Sequence, residues 1–250
     1  MKITFLSPLF QFPIPWLARY VERFNEIAGL DALDARWEHL LFTDQPDVAD
    51  ACWGRVKAIS MDVRTFVDLA EETTGCRPAV TAPGPKFGDL RPAFGLLFVD
   101  WLRDADWWGH TDMDLVLGNL DAFWPDAVLR AADLVTDEVN RNAVNGAFAL
   151  YRNAPAINRL FQASPMWQAI FRDPRYYAFD ENQFSDVVNE ERRAGALRFC
   201  RTSWHEHDGM PAYQPAPRLA LDGDGVLRGA SGREIPFFHF RRTKPKWPLP

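Results

Sequence analysis

The sequence has few cysteines and lacks a long apolar run. Its three cysteines, Cys52, Cys76 and Cys200, are far apart and form no CxxC pair, which argues against a disulfide framework. We therefore expect a reducing compartment, the cytoplasm. The first ten residues, MKITFLSPLF, fall well short of the roughly 20 apolar residues of a membrane span and lack a small-residue cleavage site. The sequence predicts no signal peptide and no transmembrane segment, and it leaves peripheral association with the inner face of a membrane open.

The sequence also lacks an excess of positive charge, with 28 Lys and Arg against 34 Asp and Glu. The formal net charge is −6, which disfavours general nucleic-acid binding. A protein of this charge needs a metal ion or a locally basic pocket to hold an anionic substrate. Aromatic residues, in contrast, are abundant, with 10 Trp and 19 Phe. They suit either a bulky core or stacking on sugars and bases.

Apolar periodicity predicts an α/β protein. The first 75 residues alternate between strand and helix patterns, at 2–9, 16–27, 38–43 and 59–72, with Asp62 as a helix cap. This order favours a parallel sheet flanked by helices. Further along, we predict helices at 93–102, 121–132, 156–171 and 181–195, and strands at 107–111, 134–136 and 148–151. A hairpin turning at 222–225 and one more strand follow. We see no internal repeat and expect a single domain over residues 1–250.

Two acids lie one residue apart at the end of the predicted strand 107–111. Burying a carboxylate without a partner costs several kcal/mol, and two close carboxylates also repel each other. Asp112 and Asp114 project to the same side if the strand continues, at an edge where α/β sheets bind ligands. Oxygen ligands of this kind suit Mg²⁺ or Mn²⁺ with a substrate diphosphate. The alternative is a solvated loop or a pair of helix caps.

The C-terminal segment PFFHFRRTKPKW places a histidine before a cluster of cations. His239 could complete a Mn²⁺ site. The cations that follow it could hold phosphate oxygens, and they are Arg241, Arg242, Lys244 and Lys246. The alternative is a basic tail with a buried histidine.

These features together resemble nucleotide-sugar glycosyltransferases of the GT-A fold. The shared layout is an N-terminal β-α-β unit, a central Asp-x-Asp after an aromatic strand, and a C-terminal His-Phe…Lys-Pro…Trp. Residues 85–120 are similar to a small bacterial family of glycosyltransferase-like proteins with a Tyr-Lys-x-x-Asp-Phe-Lys-Pro-Ala-Tyr-Gly segment and a Phe-Trp-Gly-x-x-Asp-x-Asp segment. Residues 40–44 and 145–153 also look like that family. The resemblance implies a GT-A-like, Rossmann-type mixed sheet flanked by helices, with a C-terminal β-hairpin lobe.

The resemblance also implies roles for individual residues. Asp112, Asp114 and His239 would hold Mn²⁺ or Mg²⁺, and Asp112 would also reach the ribose and diphosphate. Lys244 would neutralise the diphosphate as it leaves. The remaining residues implied in nucleotide-sugar binding are Pro8, Thr43, Asp44, Lys86, Asp89, Arg91 and Lys246.

The sequence departs from the glycogenin-like pattern after the histidine. That pattern has Gly three and Lys six residues after the His, where this chain has Arg242 and Pro245. Either Lys244 or Lys246 could therefore meet the diphosphate.

Asp180 and Glu181 precede a predicted helix, in a region that faces the acceptor and donor sugar in the resembling fold. In an inverting reaction one of them could deprotonate the acceptor hydroxyl, and in a retaining reaction they would stabilise an oxocarbenium-like transition state. The alternative is a helix N-cap with acids favoured by the dipole.

Three other features receive a structural interpretation. Trp107 and Trp108 are expected in the core. His110 could touch the site but is expected to be a core histidine. The segment 205–207 (His-Glu-His) looks like part of a zinc site, but no third ligand lies at a convincing distance.

The sequence thus predicts a metal-dependent glycosyltransferase that moves a sugar from a nucleoside diphosphate, UDP by resemblance, to a hydroxyl of a glycan or lipid-linked acceptor. The nucleotide-binding part would span about 1–125, and the acceptor part with the C-terminal lobe about 126–250. One alternative is a nucleotidyltransferase, which also uses Asp-x-Asp but would want a Gly-Ser pair before the acids. Another is a non-catalytic nucleotide or sugar binder.

Overall fold

The structure is a computed structural model of the chain. It describes residues 1–12, 14–28, 36–137, 144–203, 205–208, 210, 219–221 and 226–241. Every helix in this part of the chain is too short or too polar to span a lipid bilayer.

The described elements alternate between strands and helices in the first third of the chain. The strands are β1 (Ile3–Pro8), β2 (Trp37–Thr43), β3 (Val56–Ser60), β4 (Trp107–Thr111), β5 (Leu115–Leu117), β6 (Leu134–Asp137), β7 (Phe148–Arg152), β8 (Phe199–Ser203), β9 (Glu206–His207), β10 (Ala220–Leu221), β11 (Leu227–Arg228) and β12 (Phe237–His239). The α-helices are α1 (Leu17–Ala28), α2 (Pro46–Ala51), α3 (Val63–Thr74), α4 (Phe94–Leu97), α5 (Leu120–Phe123), α6 (Asp126–Ala131), α7 (Pro155–Asn158), α8 (Trp167–Arg172) and α9 (Gln183–Arg193). The segments Pro85–Ala93, Val99–Leu102 and Leu160–Ala163 are 3₁₀-helices.

A seven-stranded mixed sheet forms the centre of the fold, in the order β3-β2-β1-β4-β7-β6-β8. The pairs β1–β2, β2–β3, β1–β4 and β6–β8 are parallel, whereas β7 is antiparallel to both of its neighbours, β4 and β6. The predicted α/β class with a mixed sheet and flanking helices is confirmed. Two smaller sheets, β5-β12-β9 and β10-β11, lie outside this main sheet.

Two hydrophobic clusters cover the two faces of the main sheet. Alternate strand residues point to opposite faces, so Trp107 joins the cluster that includes α1, and Trp108 joins the cluster that includes α3. Both tryptophans are fully buried, which confirms their predicted place in the core. Helix α1 buries Leu17, Tyr20 and Phe24 at helical spacing. The aromatic content of the chain is thus largely core.

Asp62 is the N-cap of α3, as predicted, but the helix begins at Val63 and not at residue 59. The Asp62 carboxylate accepts a hydrogen bond from the Thr65 amide at 2.7 Å, as an N-cap residue does. The residues at 59 and 60, predicted as helix, instead end strand β3. Strand β3 and helix α2 were not predicted from the sequence. A capping aspartate therefore marks this helix start better than the apolar spacing before it.

Prolines divide two of the predicted helices. The segment predicted as helix 121–132 is α5 and α6, separated before Pro125, and the segment 156–171 is α7, a 3₁₀-helix and α8, with Pro165 between the last two. Proline removes an amide donor and clashes with the preceding turn. The predicted helix 93–102 is likewise a short α4 followed by a 3₁₀-helix. These three predicted helices are therefore divided in the structure, whereas the helices predicted at 16–27 and 181–195 are confirmed as α1 and α9.

The C-terminal lobe has the predicted hairpin and a further strand. β10 and β11 pair antiparallel, and the turn predicted at 222–225 lies outside the described residues. The further strand, β12, is antiparallel to β5 and parallel to β9. Because β5 begins directly after Asp114, this pairing brings the C-terminal segment to the end of β4.

Candidate active site

The site lies at the carboxyl ends of β1 and β4. These strands are parallel neighbours. The next two strands in the sequence, β2 and β3, lie on one side of β1, whereas β4 lies on the other side. The strand order therefore reverses between β1 and β4, which is where open α/β sheets bind ligands. Pro8 ends β1, and Asp112 follows the last residue of β4.

Three predicted ligands come together there. His239 Nε2 lies 3.4 Å from Asp114 Oδ1 and 3.7 Å from Asp112 Oδ2, and one ligand atom from each residue lies within 4.8 Å of the others. The sheet register explains the approach, because His239 pairs with Leu115 across β12 and β5. Asp114 is 5% exposed and His239 8%, whereas a quarter of the Asp112 side chain is open to solvent.

The donor set fits a divalent cation. An octahedral ion with ligands at about 2.1 Å places adjacent ligand atoms about 3 Å apart and opposite ones about 4 Å apart. The observed distances of 3.4 and 3.7 Å therefore require only small side-chain adjustments. Two carboxylates and one imidazole are ligand types that Mn²⁺ and Mg²⁺ sites use. Among the residues that the structure describes, this is the only group of three or more His, Cys, Asp or Glu side chains with such proximity.

Arg91 joins two of the acids. It donates from Nη2 to Asp112 Oδ1 and from Nη1 to Asp180 Oδ2, the latter at 3.2 Å. Burial lowers the pKa of Arg91, but the charges of Asp112 and Asp180 outweigh burial and raise it, so its guanidinium stays charged. Arg91 supplies part of the positive charge that the buried acids require. The other carboxylate oxygen of Asp112 faces His239.

Asp180 is fully buried beside this arginine. Burial raises the pKa of Asp180 to about 7, with Glu181 and Asp112 acting in the same direction and Arg91 opposing them. The carboxyl group therefore titrates near neutral pH, as groups that transfer protons in active sites often do. The alternative role of helix N-cap is wrong for both acids, because α9 has Asn182 at its N-cap position.

Glu181 is fixed by a glycine. Its Oε1 accepts a hydrogen bond from the Gly146 amide at 3.0 Å. A Cβ on residue 146 would lie 2.7 Å from the same oxygen, which is closer than van der Waals contact permits. The absence of a side chain at Gly146 thus lets Glu181 approach the backbone.

Two cavities meet at Asp112 and Arg91. The first, here called the apolar cavity, has a volume of about 570 Å³. Its lining is mostly aromatic, aliphatic or proline and includes Pro8, Phe10, Phe12, Trp16, Phe87, Phe94, His110 and Asp114. The second, here called the polar cavity, has a volume of about 310 Å³ and is lined by Arg91, Asp112, Asn145, Gly146, Ala147, Tyr176, Asp180, Glu181, His205, His239 and Arg241. The metal-ligand group therefore lies between an apolar and a polar compartment.

His110 is a buried, neutral histidine in the wall of the apolar cavity. Its Nε2 lies 3.3 Å from the Asn145 carbonyl oxygen. Burial and the charge of Arg91 lower its pKa well below the usual value, which keeps the imidazole uncharged at neutral pH. His110 thus combines the two roles considered from the sequence, since it packs in the core and also borders the site.

Lys86 and Asp89 form a buried ion pair that lines neither cavity. Lys86 Nζ donates to Asp89 Oδ2 at 2.8 Å and to the carbonyl oxygen of Arg175 at 2.9 Å. Asp89 accepts from the amides of Tyr177 and Phe179. The pair holds the chain segment that leads to Asp180, and its predicted contact with the nucleotide sugar stays a prediction.

The other predicted binding residues have different outcomes. Pro8 lines the apolar cavity. Thr43 is buried and Asp44 exposed, and neither lines either cavity, so their predicted role is without structural support. Lys244 and Lys246 lie outside the described residues, and their roles stay predictions.

The zinc interpretation of 205–207 gains no support. The rings of His205 and His207 are 6.1 Å apart between centroids, and Glu206 Oε2 accepts a hydrogen bond from the Ala230 amide. His205 instead lines the polar cavity. Its position there was not expected from the sequence.

Several site residues were missed because no local signal marks them. Trp16 contacts the Asp-Met-Asp motif, because its Nε1 donates a hydrogen bond to the Met113 carbonyl oxygen at 2.6 Å. Phe10, Asn145 and Tyr176 contribute cavity walls from separate segments. A search for polar or aromatic residues directly after predicted strands could have found Phe10, but only the tertiary structure identifies the others.

Sequence comparison gives a family without an assigned activity. A family model described as "Family of unknown function (DUF6625)" matches residues 14–205. No curated protein sequence matches the chain significantly.

The solved structures that resemble this chain include several glycosyltransferases. The apo form of mouse xyloside xylosyltransferase 1 has a TM-score of 0.52 at 12% identity, with 100% of each chain covered. The galactosyltransferase LgtC, in complex with donor and acceptor sugar analogues, has a TM-score of 0.51 at 12% identity, covering 96% of this chain and 87% of that one. A glycosyltransferase involved in glycosylation of the major capsid of PBCV-1 has a TM-score of 0.50 at 11% identity, covering 98% and 96%. The fold is therefore that of GT-A glycosyltransferases.

Proposed function

This chain belongs to the DUF6625 family, whose function is unknown, and from its fold and site we propose that it is a divalent-metal-dependent glycosyltransferase. Its donor would be a nucleoside diphosphate sugar, with UDP favoured by the family resemblance. Its acceptor would be a hydroxyl group on a glycan or a lipid-linked saccharide.

One observation carries this proposal. Asp112, Asp114 and His239 lie where an apolar cavity meets a polar one, and Asp112 lines both. A nucleoside diphosphate sugar has the same order of parts: a flat base, a charged diphosphate and a polar sugar. The match between the order of compartments and the order of chemical groups favours this ligand over a free sugar or a free phosphate.

A cation bound by Asp112, Asp114 and His239 would neutralise the diphosphate and make it a better leaving group. Mn²⁺ is the ion we propose, with Mg²⁺ as the alternative. Arg91 would hold Asp112 in position, and Arg241 would add positive charge at the polar cavity.

The base would bind in the apolar cavity. Phe10 and Phe87 provide aromatic surface there, with their ring centroids 5.4 Å apart. Cavities that bind flat cofactors and nucleosides are lined in this way, by apolar walls with a few polar groups. We propose that residues 1–125 form the nucleotide-binding part and 126–250 the acceptor part of one domain.

Asp180 is our candidate for the group that removes the acceptor proton in an inverting reaction. Its carboxyl lines the polar cavity, and a pKa of about 7 allows it to accept a proton at neutral pH and release it again. Glu181, fixed by the Gly146 amide, would bind a sugar hydroxyl group. In a retaining reaction the two carboxylates would stabilise positive charge on the donor sugar.

Thermal unfolding with a panel of nucleoside diphosphates, with and without Mn²⁺, tests the donor. A ligand of the folded state raises stability by about 2.7 kcal/mol at a hundredfold excess over its Kd. We expect a shift for UDP or GDP that requires the metal. No shift with any nucleotide would contradict the proposal.

Turnover separates an enzyme from a binder. With the donor class known, release of the nucleoside diphosphate from the nucleotide sugar is measured with and without saccharide acceptors. Metal-dependent release supports a glycosyltransferase. Tight binding without release or transfer would favour the non-catalytic binder instead.

A further inference from the structure

Tyr176 is an aromatic side chain at the mouth of the polar cavity. It is 46% exposed, whereas Asp180 at the same cavity is fully buried and Asn145 nearly so. A single exposed aromatic ring needs no explanation by itself. Tyr176 differs because the buried interior of the protein holds its backbone and its ring in place.

The backbone on both sides of Tyr176 is held by the buried Lys86–Asp89 pair. Lys86 donates to the Arg175 carbonyl oxygen at 2.9 Å, just before Tyr176. Asp89 accepts from the Tyr177 amide at 3.1 Å and from the Phe179 amide at 2.8 Å. Only 3% and 0% of their side chains are exposed, and their hydrogen bonds hold this segment.

The ring itself lies against a glycine. A Cβ on residue 88 would be 3.2 Å from Cε2 of Tyr176 and 3.5 Å from its hydroxyl oxygen. The 3.2 Å distance is tight, so a side chain at Gly88 would displace the ring by a few tenths of an ångström, whereas 3.5 Å is an ordinary van der Waals contact. Lys86, Gly88 and Asp89 lie within four residues of one another, and all three contact the segment that carries Tyr176. A segment that sequence resemblance assigns to donor binding therefore positions this aromatic ring.

The polar cavity next to the ring offers groups that suit sugar hydroxyls. Asp180 and Glu181 provide carboxylate acceptors, and Asn145 provides an amide. A pyranose ring has hydroxyl groups around its edge and an apolar face of C–H groups. A fixed aromatic surface beside hydrogen-bonding groups is complementary to both.

We propose that Tyr176 is the stacking platform of the acceptor subsite and that the acceptor is a pyranoside whose apolar face lies on this ring. The inference rests on the proposed function. It assigns the acceptor to Tyr176 because the donor sugar must stay beside the diphosphate at Asp112, whereas the acceptor enters from solvent, where Tyr176 is exposed. The acceptor hydroxyl would then point inward, toward Asp180.

Saturation-transfer NMR of the whole protein with UDP and Mg²⁺ tests the proposal, because Mn²⁺ is paramagnetic. The probes are methyl β-D-galactopyranoside, methyl β-D-glucopyranoside and methyl α-D-mannopyranoside, with the acyclic polyol sorbitol as a negative control. We expect at least one pyranoside to receive saturation mainly on the protons of one ring face. Tyr176→Ala should weaken its binding about tenfold, the loss of roughly one aromatic stacking contact. Tyr176→Phe should retain the contact.

Two further variants control for structure. Trp53→Ala removes an aromatic ring that is 49% exposed but lines neither cavity, and it should leave pyranoside binding unchanged. Gly88→Ala should weaken pyranoside binding without lowering the melting temperature, because its added methyl group displaces the Tyr176 ring; UDP affinity is measured alongside, because Gly88 also lines the apolar cavity. Equal pyranoside binding in the wild type and in Tyr176→Ala would overturn the proposal. So would the absence of pyranoside binding in a protein that UDP still stabilises. If no nucleotide binds, the donor assignment fails, while pyranoside binding that depends on Tyr176 would still support the stacking platform.

Discussion

The imidazole Nε2 of His239 lies 3.4 Å from Oδ1 of Asp114, although Asp114 lies near the middle of the sequence and His239 near its C-terminal end. Their approach depends on the backbone, since the Phe240 amide donates to the Asp114 carbonyl oxygen at 3.0 Å and β12 pairs with β5. The last ligand thus arrives only when the C-terminal segment has added its strand. Metal binding should therefore stabilise the docking of this segment.

Asp114→Asn tests the metal assignment. The amide keeps the shape of the carboxylate but removes its charge, so the melting temperature of the metal-free protein should change little. Loss of residues that only support metal ligands already costs about 10- to 100-fold in metal affinity, and loss of a direct ligand should cost at least as much. We expect manganese-dependent UDP binding, measured by calorimetry, to disappear.

Asp104→Asn is the matched control for this variant. Asp104 is an exposed acid in the same segment, before β4, and its replacement should leave the affinity for UDP and Mn²⁺ unchanged. Wild-type UDP affinity in Asp114→Asn would show that the Asp-Met-Asp motif is structural.

Asp180→Asn should change the dependence of stability on pH. The folded pKa of about 7 exceeds the unfolded value of about 3.9, so between these values the folded state binds more protons. Stability of the wild type therefore falls as pH rises from about 4 to 7. The asparagine variant lacks this titration and should match the wild type at pH 4, then exceed it by up to about 4 kcal/mol at pH 8.

Urea unfolding in EDTA at several pH values measures this difference. EDTA removes any effect of metal binding on the comparison. If the difference in the free energy of unfolding between the two proteins stays constant from pH 4 to pH 8, Asp180 has an ordinary pKa in the folded state. The same variant should also lose glycosyl transfer in an inverting reaction.

Much of the site could be predicted from the sequence because its ligands carry local signals. Asp112 and Asp114 are acids directly after an apolar strand, and His239 interrupts a run of phenylalanines. The α/β class followed from the alternation of periodicities in the first 75 residues. Sequence resemblance added the expectation that these distant segments meet.

The parts that were missed depend on tertiary contacts. The link from Arg91 to Asp112 and Asp180 joins three segments, and no spacing in the sequence marks it. Lys86 and Asp89 were assigned to the donor by family resemblance, and no feature of the sequence indicates that both side chains are buried. Strand β3 is short and only partly buried, so its apolar pattern merged with that of the helix after it.

Lys86→Met should destabilise the protein strongly. It leaves Asp89 as a fully buried carboxylate without its cation, and breaking a buried pair in this way typically costs about 3–5 kcal/mol. Chemical denaturation of the metal-free protein measures the loss. The variant should also lose saccharide transfer more than nucleotide binding, because the pair holds the segment before Asp180 and has no contact with the apolar cavity.

Asp100→Asn provides the comparison, because it breaks another pair of the same i, i+3 spacing. Arg103 and Asp100 are 2.7 Å apart, but 76% and 71% of their side chains are exposed. Exposed pairs of this kind contribute little, so no measurable loss is expected. Equal effects of the two substitutions would argue that Lys86 and Asp89 are not held in a dry environment.

His39 should make the protein sensitive to acid. Its Nδ1 lies 2.9 Å from the Tyr20 hydroxyl and its Nε2 2.9 Å from the Ser7 hydroxyl. Burial lowers its pKa to about 3, against about 6.5 in the unfolded chain. Between these values the unfolded state binds more protons, so stability falls by several kcal/mol as pH drops from about 6.5 toward 3.

His39→Gln removes this titration and keeps a hydrogen-bonding side chain. The variant should be less stable than the wild type at pH 7.5 by about 1–3 kcal/mol, because at least one buried hydrogen bond is lost. The difference in the free energy of unfolding should shrink as pH falls and change sign between about pH 6 and pH 4, where the wild type has lost about 1–3 kcal/mol. Urea unfolding at pH 7.5, 6 and 4.5 gives the comparison, and parallel stability curves for the two proteins would show that His39 is protonated in the folded state as readily as in the unfolded chain.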